Sequence, residues 1–252
     1  MTKLTYKDLL DAGVHFGHLT RKWDPRMAPY IFMERNGIHI IDLNKTLVTL
    51  DEASNAMRTI VRSGRKVLFV ATKKQAKSIV EEEAKRLRMP YVTERWLGGM
   101  LTNFTTIRKS LKKLSSIEKL MKDESYLNLA KRERLMVTRE KDKLNKVLGG
   151  ISELTRLPAA VFIVDVKKEH IAVKEAQKLN IPIFAMVDTN SNPTVADFPI
   201  PANDDAYKSI AESLIHAGAV NLCSVNIEWI HSECIEASNA GEVLGELDGI
   251  IV

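Results

Sequence analysis

The amino-acid sequence predicts an α/β protein: a Rossmann-like parallel sheet flanked by helices, with an inserted antiparallel coiled-coil helical hairpin. Unbroken apolar runs at residues 67–71 and 160–164 are typical of strands that are buried on both faces of a sheet. These runs alternate with segments of helical spacing, which indicates parallel strands joined by crossover helices. A long, charged stretch interrupts this alternation, and it predicts the hairpin.

The N-terminal part precedes the sheet and has a pattern of its own. Its predicted elements are, in chain order, a short helix capped by Thr5 and ended by Gly13, an aperiodic segment at 15–26, strands at 30–33 and 38–41 joined by a turn at Asn36-Gly37, and a helix from Asp42 to Gly64. We expect this part to be an extension that contacts RNA or protein.

The sheet itself is predicted from residue 67 onward. Its elements are a strand at 67–71, a helix opened by a capping box at Thr72-Lys73-Lys74-Gln75, strands at 91–93 and 160–164, a helix near 169–179, a strand at 183–187, a short extended run at 198–200 and a helix from about Asp205.

The interruption lies between the second and third strands of this sheet. Apolar residues repeat at helical spacing at Ile107, Leu111 and Leu114, and again toward Leu148, whereas the residues between them are rich in Lys, Arg and Glu. Two helices with narrow apolar seams predict an antiparallel coiled-coil arm. We therefore divide the chain into an α/β domain (1–104 and 150–225), the arm (105–149) and an acidic C-terminal tail (226–252).

The charge distribution is asymmetric along the chain. Lys and Arg outnumber Asp and Glu by 18 to 11 in residues 1–100 and by 13 to 6 in residues 101–150, but residues 151–252 carry 6 against 15. A basic half indicates either contact with a polyanion or an ordinary solvated face. Cys223 and Cys234 have no metal-type spacing, and no secretory signal or membrane-spanning run occurs, so we expect a cytoplasmic protein without a membrane partner.

Nucleotide-binding motifs are absent from the sequence. A dinucleotide site needs G-x-G-x-x-G after the first strand, and a P-loop needs its glycines, but the turn here is Thr72-Lys73-Lys74-Gln75. We therefore predict that the protein is not an enzyme and binds no free nucleotide. The alternative is an enzyme of nucleotide or sugar phosphates that uses the sheet crevice near Asp165 and Asp188.

Four residues are weak candidates for a structural zinc or magnesium site, although no cofactor is predicted. His15 and His18 lie three residues apart, and Asp188 and either Asp204 or Asp205 are predicted near the ends of strands. Histidine and carboxylate ligands suit these ions. The alternative is that Asp205 caps a helix, Asp188 belongs to a turn, and the histidines contact phosphate or backbone.

Three clusters and one sheet edge are predicted to contact RNA. Cations neutralise phosphates, interleaved aromatic rings can stack on bases, and paired glycines before a helix leave amides open to an anion. Each cluster has an alternative explanation. The aromatic residues could simply fix the N-terminal segment to the domain, the paired glycines could form a tight connection between strand and arm, and the charged face of the arm could be an ordinary solvated surface. The candidates are Arg21, Lys22, Trp23 and Arg26; Arg95, Trp96 and Asn103; the arm residues Arg108, Lys109, Lys112, Lys113, Lys131 and Arg132; and Lys73 and Lys74 at the edge.

The same segments resemble the bacterial small-subunit ribosomal protein S-two family. The matching motifs are LLDAGVHFGH at 9–18, WDPRM at 23–27, RWLGGMLTNF at 95–104, PAAVFIVD at 158–165, DTNSNP at 188–193 and IPANDDA at 200–206. The resemblance covers residues 4 to about 225, and the tail from Asn226 matches nothing in the family's pattern.

The resemblance implies a structural protein of the ribosome rather than an enzyme. It implies a Rossmann-like domain with a coiled-coil arm, bound to small-subunit ribosomal RNA between head and body. It also implies neighbouring ribosomal proteins as partners, including the large mRNA-binding ribosomal protein S-one. The tail contains six acidic residues and no Lys or Arg, so we expect it to avoid RNA.

Overall fold

The computed structural model describes residues 5–123, 126 and 130–214. The predicted acidic tail and both cysteines lie outside the described residues. The elements are α1 (Tyr6–Asp11), β1 (Phe16–Leu19), β2 (Ile31–Arg35), β3 (Ile38–Ile41), α2 (Leu43–Arg62), β4 (Val67–Val70), α3 (Lys74–Arg86), β5 (Tyr91–Val92), α4 (Phe104–Lys122), α5 (Lys131–Leu148), β6 (Ala160–Val164), α6 (His170–Lys178), β7 (Ile183–Val187), β8 (Phe198–Pro201) and α7 (Tyr207–Leu214).

The five strands from β4 to β8 form one parallel sheet in the order β5-β4-β6-β7-β8. The predicted α/β fold class is therefore confirmed. The first strand of this sheet in the chain, β4, lies between the second and the third. The strand order consequently reverses between β4 and β6, which is where open sheets of this kind bind ligands.

Helices cover both faces of the sheet, so its strands are apolar along their whole length. Phe69 and Phe162 face a core built with α2, α3 and α7, whereas their neighbours Leu68 and Ile163 face a second core built with α6 and the base of the long helices. Side chains alternate between the faces of a strand. Both faces are buried, which explains the unbroken apolar runs of the sequence.

A small antiparallel sheet in the order β1-β3-β2 precedes the main one. Strand β1 was not predicted, because its four residues Phe16–Leu19 show no alternation of apolar and polar side chains. Its position depends on Gly17. A Cβ atom at Gly17 would lie 2.5 Å from the Thr189 side chain, so only glycine allows this close approach to the end of β7.

Helix α3 begins one residue later than a Thr72 capping box requires. Its N-cap is Lys73, which makes no capping hydrogen bond with its side chain, and the Thr72 hydroxyl donates to the Glu169 carboxylate instead. The capping-box prediction is therefore wrong. The Thr72 hydroxyl, which a capping box would use locally, is bound instead to a residue that is distant in sequence. The two predicted caps at Thr5 and Asp42 are present.

Helices α4 and α5 occupy the predicted insertion and contact each other. Lys113 of α4 forms an ion pair with Glu140 of α5, and Leu114 and Ile117 are buried. The base of the pair belongs to the main domain, because Ile107 and Leu148 are part of the second core. The coiled-coil description of the pair stays a prediction. Within the described residues, no helix is long and apolar enough to cross a membrane.

Candidate nucleic-acid interface

The N-terminal segment crosses the carboxyl edge of the sheet and is fastened there to the end of β7. The amide of His18 donates to the Thr189 hydroxyl at 2.8 Å, and the amide of Asp24 donates to the Thr189 carbonyl at 2.8 Å. These bonds bring the basic residues after His18 to the edge at which the parallel strands end. The edge therefore combines an N-terminal extension with the polar residues that follow each strand.

Lys73 lies at the centre of this edge and is surrounded by carboxylates. Its Nζ lies 2.7 Å from Asp204 Oδ1, 2.7 Å from Asp205 Oδ1 and 3.6 Å from Asp165 Oδ2. Burial alone would lower the pKa of Lys73, but the hydrogen bond and charge of Asp204, with the other carboxylates, raise it above the usual value. Lys73 is only 13 % exposed. Its ammonium group is therefore bound by carboxylates of this chain and is not available to an RNA phosphate.

The point of strand reversal is closed by a second contact. The amide of Thr72, after β4, donates to Glu169 Oε1 at 3.0 Å, and Glu169 itself is 3 % exposed. Burial raises the pKa of the Glu169 carboxyl, partly offset by these hydrogen bonds. Asp165 and Asp188 directly follow β6 and β7, so three carboxylates lie along this edge of the sheet. Carboxylates at this edge disfavour a bound nucleotide or sugar phosphate, which argues against the alternative enzyme interpretation.

His18, Asp188 and Asp204 form the one cluster of metal-ligand type found among the described residues. Their donor atoms all lie within 4.8 Å of one another, and His18 Nδ1 lies 3.0 Å from Asp188 Oδ2. His18 Nε2 lies 3.4 Å from Asp205 Oδ2. The predicted candidate His15 is not part of this cluster. The structure thus brings together His18 and Asp188 with Asp204, whereas Asp205 contacts His18 but is outside the cluster.

The electrostatics of this cluster follow from burial and crowding. Burial raises the pKa of Asp204 to about 7, and repulsion by Asp188 and Asp165 acts in the same direction. The hydrogen bond to Asp188 raises the pKa of His18, although burial opposes it. Asp204 Oδ2 is buried without a hydrogen-bond partner in the described part of the chain. The cluster therefore favours an added positive charge, either a proton or a metal ion.

The glycine-containing loop before α4 already holds an anion, the carboxylate of Glu175 on α6. This carboxylate accepts hydrogen bonds from Trp96 Nε1 at 3.1 Å, Gly99 N at 2.7 Å, Leu101 N at 3.0 Å and Thr102 N at 3.1 Å, and from the Thr102 hydroxyl. Burial would raise the pKa of Glu175, but these donors outweigh it and lower the pKa. The open amides predicted for an RNA phosphate are therefore occupied from within the protein.

Trp96 and its neighbours in this loop differ in their exposure. The Trp96 indole is 7 % exposed and packs in the second core, so it is not available to stack on a base. Arg95 and Asn103 are exposed. The Asn103 side-chain oxygen accepts hydrogen bonds from the hydroxyls of Thr105 and Thr106. Arg95 is thus the residue of this loop with a charged group directed to solvent.

Most of the remaining predicted contact residues lie on the surface and have no internal ion pair. In residues 5–123, 126 and 130–214, Lys113 is paired with Glu140, and no carboxylate lies within 4.0 Å of the other charged groups. Trp23 is 38 % exposed and lies against His39, with 5.1 Å between ring centroids. The exposed and unpaired cations are Arg21, Lys22, Arg26, Lys74, Arg95, Arg108, Lys109, Lys112, Lys131 and Arg132.

One residue that is central to the site, Glu175, was not singled out from the sequence, and the carboxylate surroundings of Lys73 were not predicted. Glu175 lies far from the loop that it holds, and in the sequence it is an ordinary glutamate of an amphipathic helix. The central position of Lys73 depends on Asp204 and Asp205, which lie more than a hundred residues away in the chain. The only sequence signals were the paired glycines Gly98-Gly99 and the double aspartate Asp204-Asp205.

Fold and site define a doubly wound α/β protein whose crevice is closed by its own carboxylates and whose outer segments carry unpaired cations. Comparison with known proteins agrees with this class and makes it specific. Residues 9–219 match the family model described as ribosomal protein S2, and the chain belongs to that family. Its members are structural proteins of the ribosome and not enzymes.

Three relatives show how far the similarity extends, and each bears the name small ribosomal subunit protein uS2. The protein of Cytophaga hutchinsonii is 77 % identical over 209 residues, which cover 83 % of this chain and 82 % of that protein. That of Flavobacterium psychrophilum is 65 % identical over 212 residues (84 % and 80 %). That of Bacteroides thetaiotaomicron is 58 % identical over 245 residues (96 % and 86 %).

Proposed function

We propose that the chain binds small-subunit ribosomal RNA between head and body, through the N-terminal segment and the exposed face of α4 and α5. As a family member it has a structural role in the small ribosomal subunit, with ribosomal RNA and ribosomal proteins as its partners in the bacterial cytoplasm. One observation carries the assignment of the surface. Most of the exposed cations there have no carboxylate of this chain within ion-pair distance among the described residues, so they are available to phosphates; the exceptions are Lys113, paired with Glu140, and Lys146, paired with Glu94.

The test measures binding to small-subunit ribosomal RNA as a function of salt. Wild-type affinity should fall steeply with salt, because each neutralised phosphate contributes about 0.7–0.9 to the logarithmic slope. The double variant Arg108→Ala, Lys112→Ala should lose affinity and reduce the slope by about two such increments. Lys113→Ala is the matched control, because it removes a charge from the same helix that Glu140 already neutralises. Salt-independent binding would refute the proposal.

For the cluster at the carboxyl edge, we propose a bound divalent ion, with zinc as the best fit. One imidazole and two carboxylates within 4.8 Å match the donors that zinc takes, and the unpartnered Asp204 Oδ2 supports a ligand there. His18, Asp188 and Asp204 would hold the ion. Equilibrium dialysis should find zinc on the wild type and not on His18→Ala. Equal zinc content in both proteins would contradict the assignment.

We further propose that the exposed apolar residues beside the small sheet bind a neighbouring ribosomal protein, with S-one as the partner that the family resemblance suggests. Phe32 is 69 % exposed, Phe16 50 % and Met33 48 %, and with Tyr6 they line one surface pocket. A large exposed apolar patch is typical of a protein-binding surface. Phe32→Ala should weaken retention of S-one by small subunits, whereas Val48→Ala, on α2 at a site that is 59 % exposed, should not.

A further inference from the structure

We propose that a second RNA contact lies at the opposite, amino-end edge of the sheet, where a basic pocket between β5 and the foot of α5 binds a backbone phosphate of small-subunit ribosomal RNA. The inference rests on the proposed function and extends it to residues outside the surface described above. The carboxyl edge is filled by its own carboxylates, so a phosphate contact of the sheet domain has to be sought elsewhere.

The pocket has a volume of about 310 Å³, which lies within the usual range of ligand sites. Four segments meet there: the residue before β4, the end of α3, the start of β5 and the chain that returns from α5. Lys66, Lys85 and Arg88 supply its charged walls, and the buried side chains of Met89 and Leu154 supply apolar surface. Glu153 is the one acidic residue that lines it, so the pocket carries a positive charge.

The three cations differ in how far the protein itself satisfies them. Lys85 Nζ lies 2.6 Å from Glu81 Oε1, and Lys66 Nζ donates to the Arg88 carbonyl at 2.6 Å. The guanidinium group of Arg88 has neither an ion pair nor a hydrogen bond within the described ranges, and Arg88 is exposed. Cations near helix C-termini are favourable by themselves, so the charge alone would not require a ligand. The unpaired guanidinium is the group that a phosphate would satisfy.

The backbone of Arg88 supplies a second, independent observation. Arg88 has a φ of +52°, in the left-handed region, where it closes the end of α3: its amide donates to the Lys85 carbonyl at 3.1 Å, and the next amide, of Met89, donates to the Ala84 carbonyl at 2.9 Å. The same closing turn ends α6, and there the residue is Asn180, with the same φ. Glycine and asparagine are the residues that this turn favours.

An arginine at this position works against the local backbone preference. Non-glycine residues in the left-handed region cost free energy, and such residues concentrate at functional sites. Glycine would close the end of α3 at least as well as arginine. The corresponding turn at the end of α6 has a favoured residue, Asn180, at this position. The geometry thus assigns the side chain of Arg88, rather than its backbone, to a binding role.

The chemistry of the pocket and its surroundings favours RNA over an acidic protein segment. A guanidinium group presents paired donors that match phosphate oxygens, and Lys66 adds positive charge beside it, whereas Lys85 is already paired with Glu81. The pocket begins directly after α5, whose C-terminal part carries the exposed Lys143 and Lys146, and Lys146 lies 3.9 Å from Glu94. A phosphate of the RNA backbone is therefore the ligand that fits this pocket.

The test uses the full-length chain and small-subunit particles that lack this protein, with affinity measured across a range of salt concentrations. Arg88→Gly removes the guanidinium group and relieves the left-handed strain. We expect a melting temperature equal to or above that of the wild type, an affinity about tenfold lower and a salt slope reduced by about 0.7–0.9. The matched control is Arg86→Ala, which removes a charge from the same helix end that Glu83 already pairs at 2.5 Å, and it should bind like the wild type.

Ultraviolet cross-linking of the assembled particle, read by mass spectrometry, identifies the class of ligand. Nucleotide adducts on peptides covering residues 85–91 or 149–154 would support an RNA contact. Wild-type affinity in Arg88→Gly would overturn the pocket and leave the proposed function standing. Lysine-reactive cross-links from Lys66 or Lys85 to another ribosomal protein, without nucleotide adducts, would also overturn it. Failure of the wild type to bind the particles would overturn the proposed function itself.

Discussion

Glu175 holds the loop that leads into α4, and its replacement should destabilise the protein strongly. Its carboxylate is 7 % exposed and accepts hydrogen bonds from four residues of the loop, including the backbone amides of Gly99, Leu101 and Thr102. Glu175→Ala removes the acceptor and leaves these donors facing an apolar space. The perturbation is therefore a loss of satisfied polar groups rather than a simple loss of packing.

The size of the stability loss depends on which of these donors can bind water after the substitution. The bonds from Trp96 Nε1 and Leu101 N are fully buried, and each donor left unsatisfied costs about 1–3 kcal/mol. The other donors are partly exposed and recover some hydration. We expect Glu175→Ala to lower the free energy of unfolding by about 3–5 kcal/mol, and the melting temperature by about 6–20 °C for a chain of this size.

The assay is urea or thermal unfolding followed by circular dichroism, with Lys174→Ala, an exposed neighbour on α6, as the control. The lowered pKa of Glu175 sets the pH dependence. A carboxyl group with a depressed folded-state pKa stabilises the protein above its ordinary pKa, and this contribution is lost as pH falls through the folded value. The gap between wild type and Glu175→Gln should thus narrow in acid. A loss below about 1 kcal/mol in Glu175→Ala would refute the reasoning.

Three further predictions concern the cluster, the arm and the return from it. Asp204 has a raised pKa, so its protonation stabilises the fold at low pH, and this contribution is lost as pH rises toward about 7. In chelator-treated protein, the melting temperature should fall more over that pH range in wild type than in Asp204→Asn. Equal dependence of the melting temperature on pH in the two proteins would contradict this prediction. Deleting residues 113–142 with a short linker should leave a cooperatively folded domain, whereas deleting 105–149 removes core residues and should abolish cooperative melting. Gly150→Ala places a Cβ atom 2.2 Å from the Tyr91 carbonyl oxygen and should lower the free energy of unfolding by about 1–3 kcal/mol. The control is Gly98→Ala, whose Cβ atom would have no atom within 4 Å and which should be close to neutral. Both are measured by denaturant unfolding.

The buried strands were the most predictable part of the fold. The strands at 160–164 and 183–187 were placed at their observed bounds, because a strand enclosed on both faces needs an unbroken apolar run. Strand β1 was missed for the opposite reason. Its residues are held by pairing with β3 and by Gly17 against Thr189, and neither interaction leaves a periodic pattern in four residues.

Sequence reasoning placed the unpaired cations at the surface, and their contact with RNA stays a prediction. The cations of the N-terminal segment and the arm are exposed as expected, since a charged side chain without a buried partner remains at the surface. Lys73 and Trp96 were also expected at the surface, but both side chains are largely buried. Their environments are set by Asp204 and Glu175, which are distant in sequence, and a local motif carries no information about such partners.

The sequence by itself determined the alternation of buried strands and covering helices, the long helical insertion, the basic N-terminal half and the membership of a ribosomal protein family. The first three properties follow from residue type and spacing, which act locally, and the family membership follows from the similarity of whole motifs to a known family. Only the tertiary structure decided which anion the Gly98-Gly99 loop holds, that Lys73 is enclosed by carboxylates, and that Arg88 faces a pocket at the other edge. Each of these depends on contacts between side chains that folding alone brings within a few ångströms, where hydrogen bonding, burial and Coulomb interactions become strong.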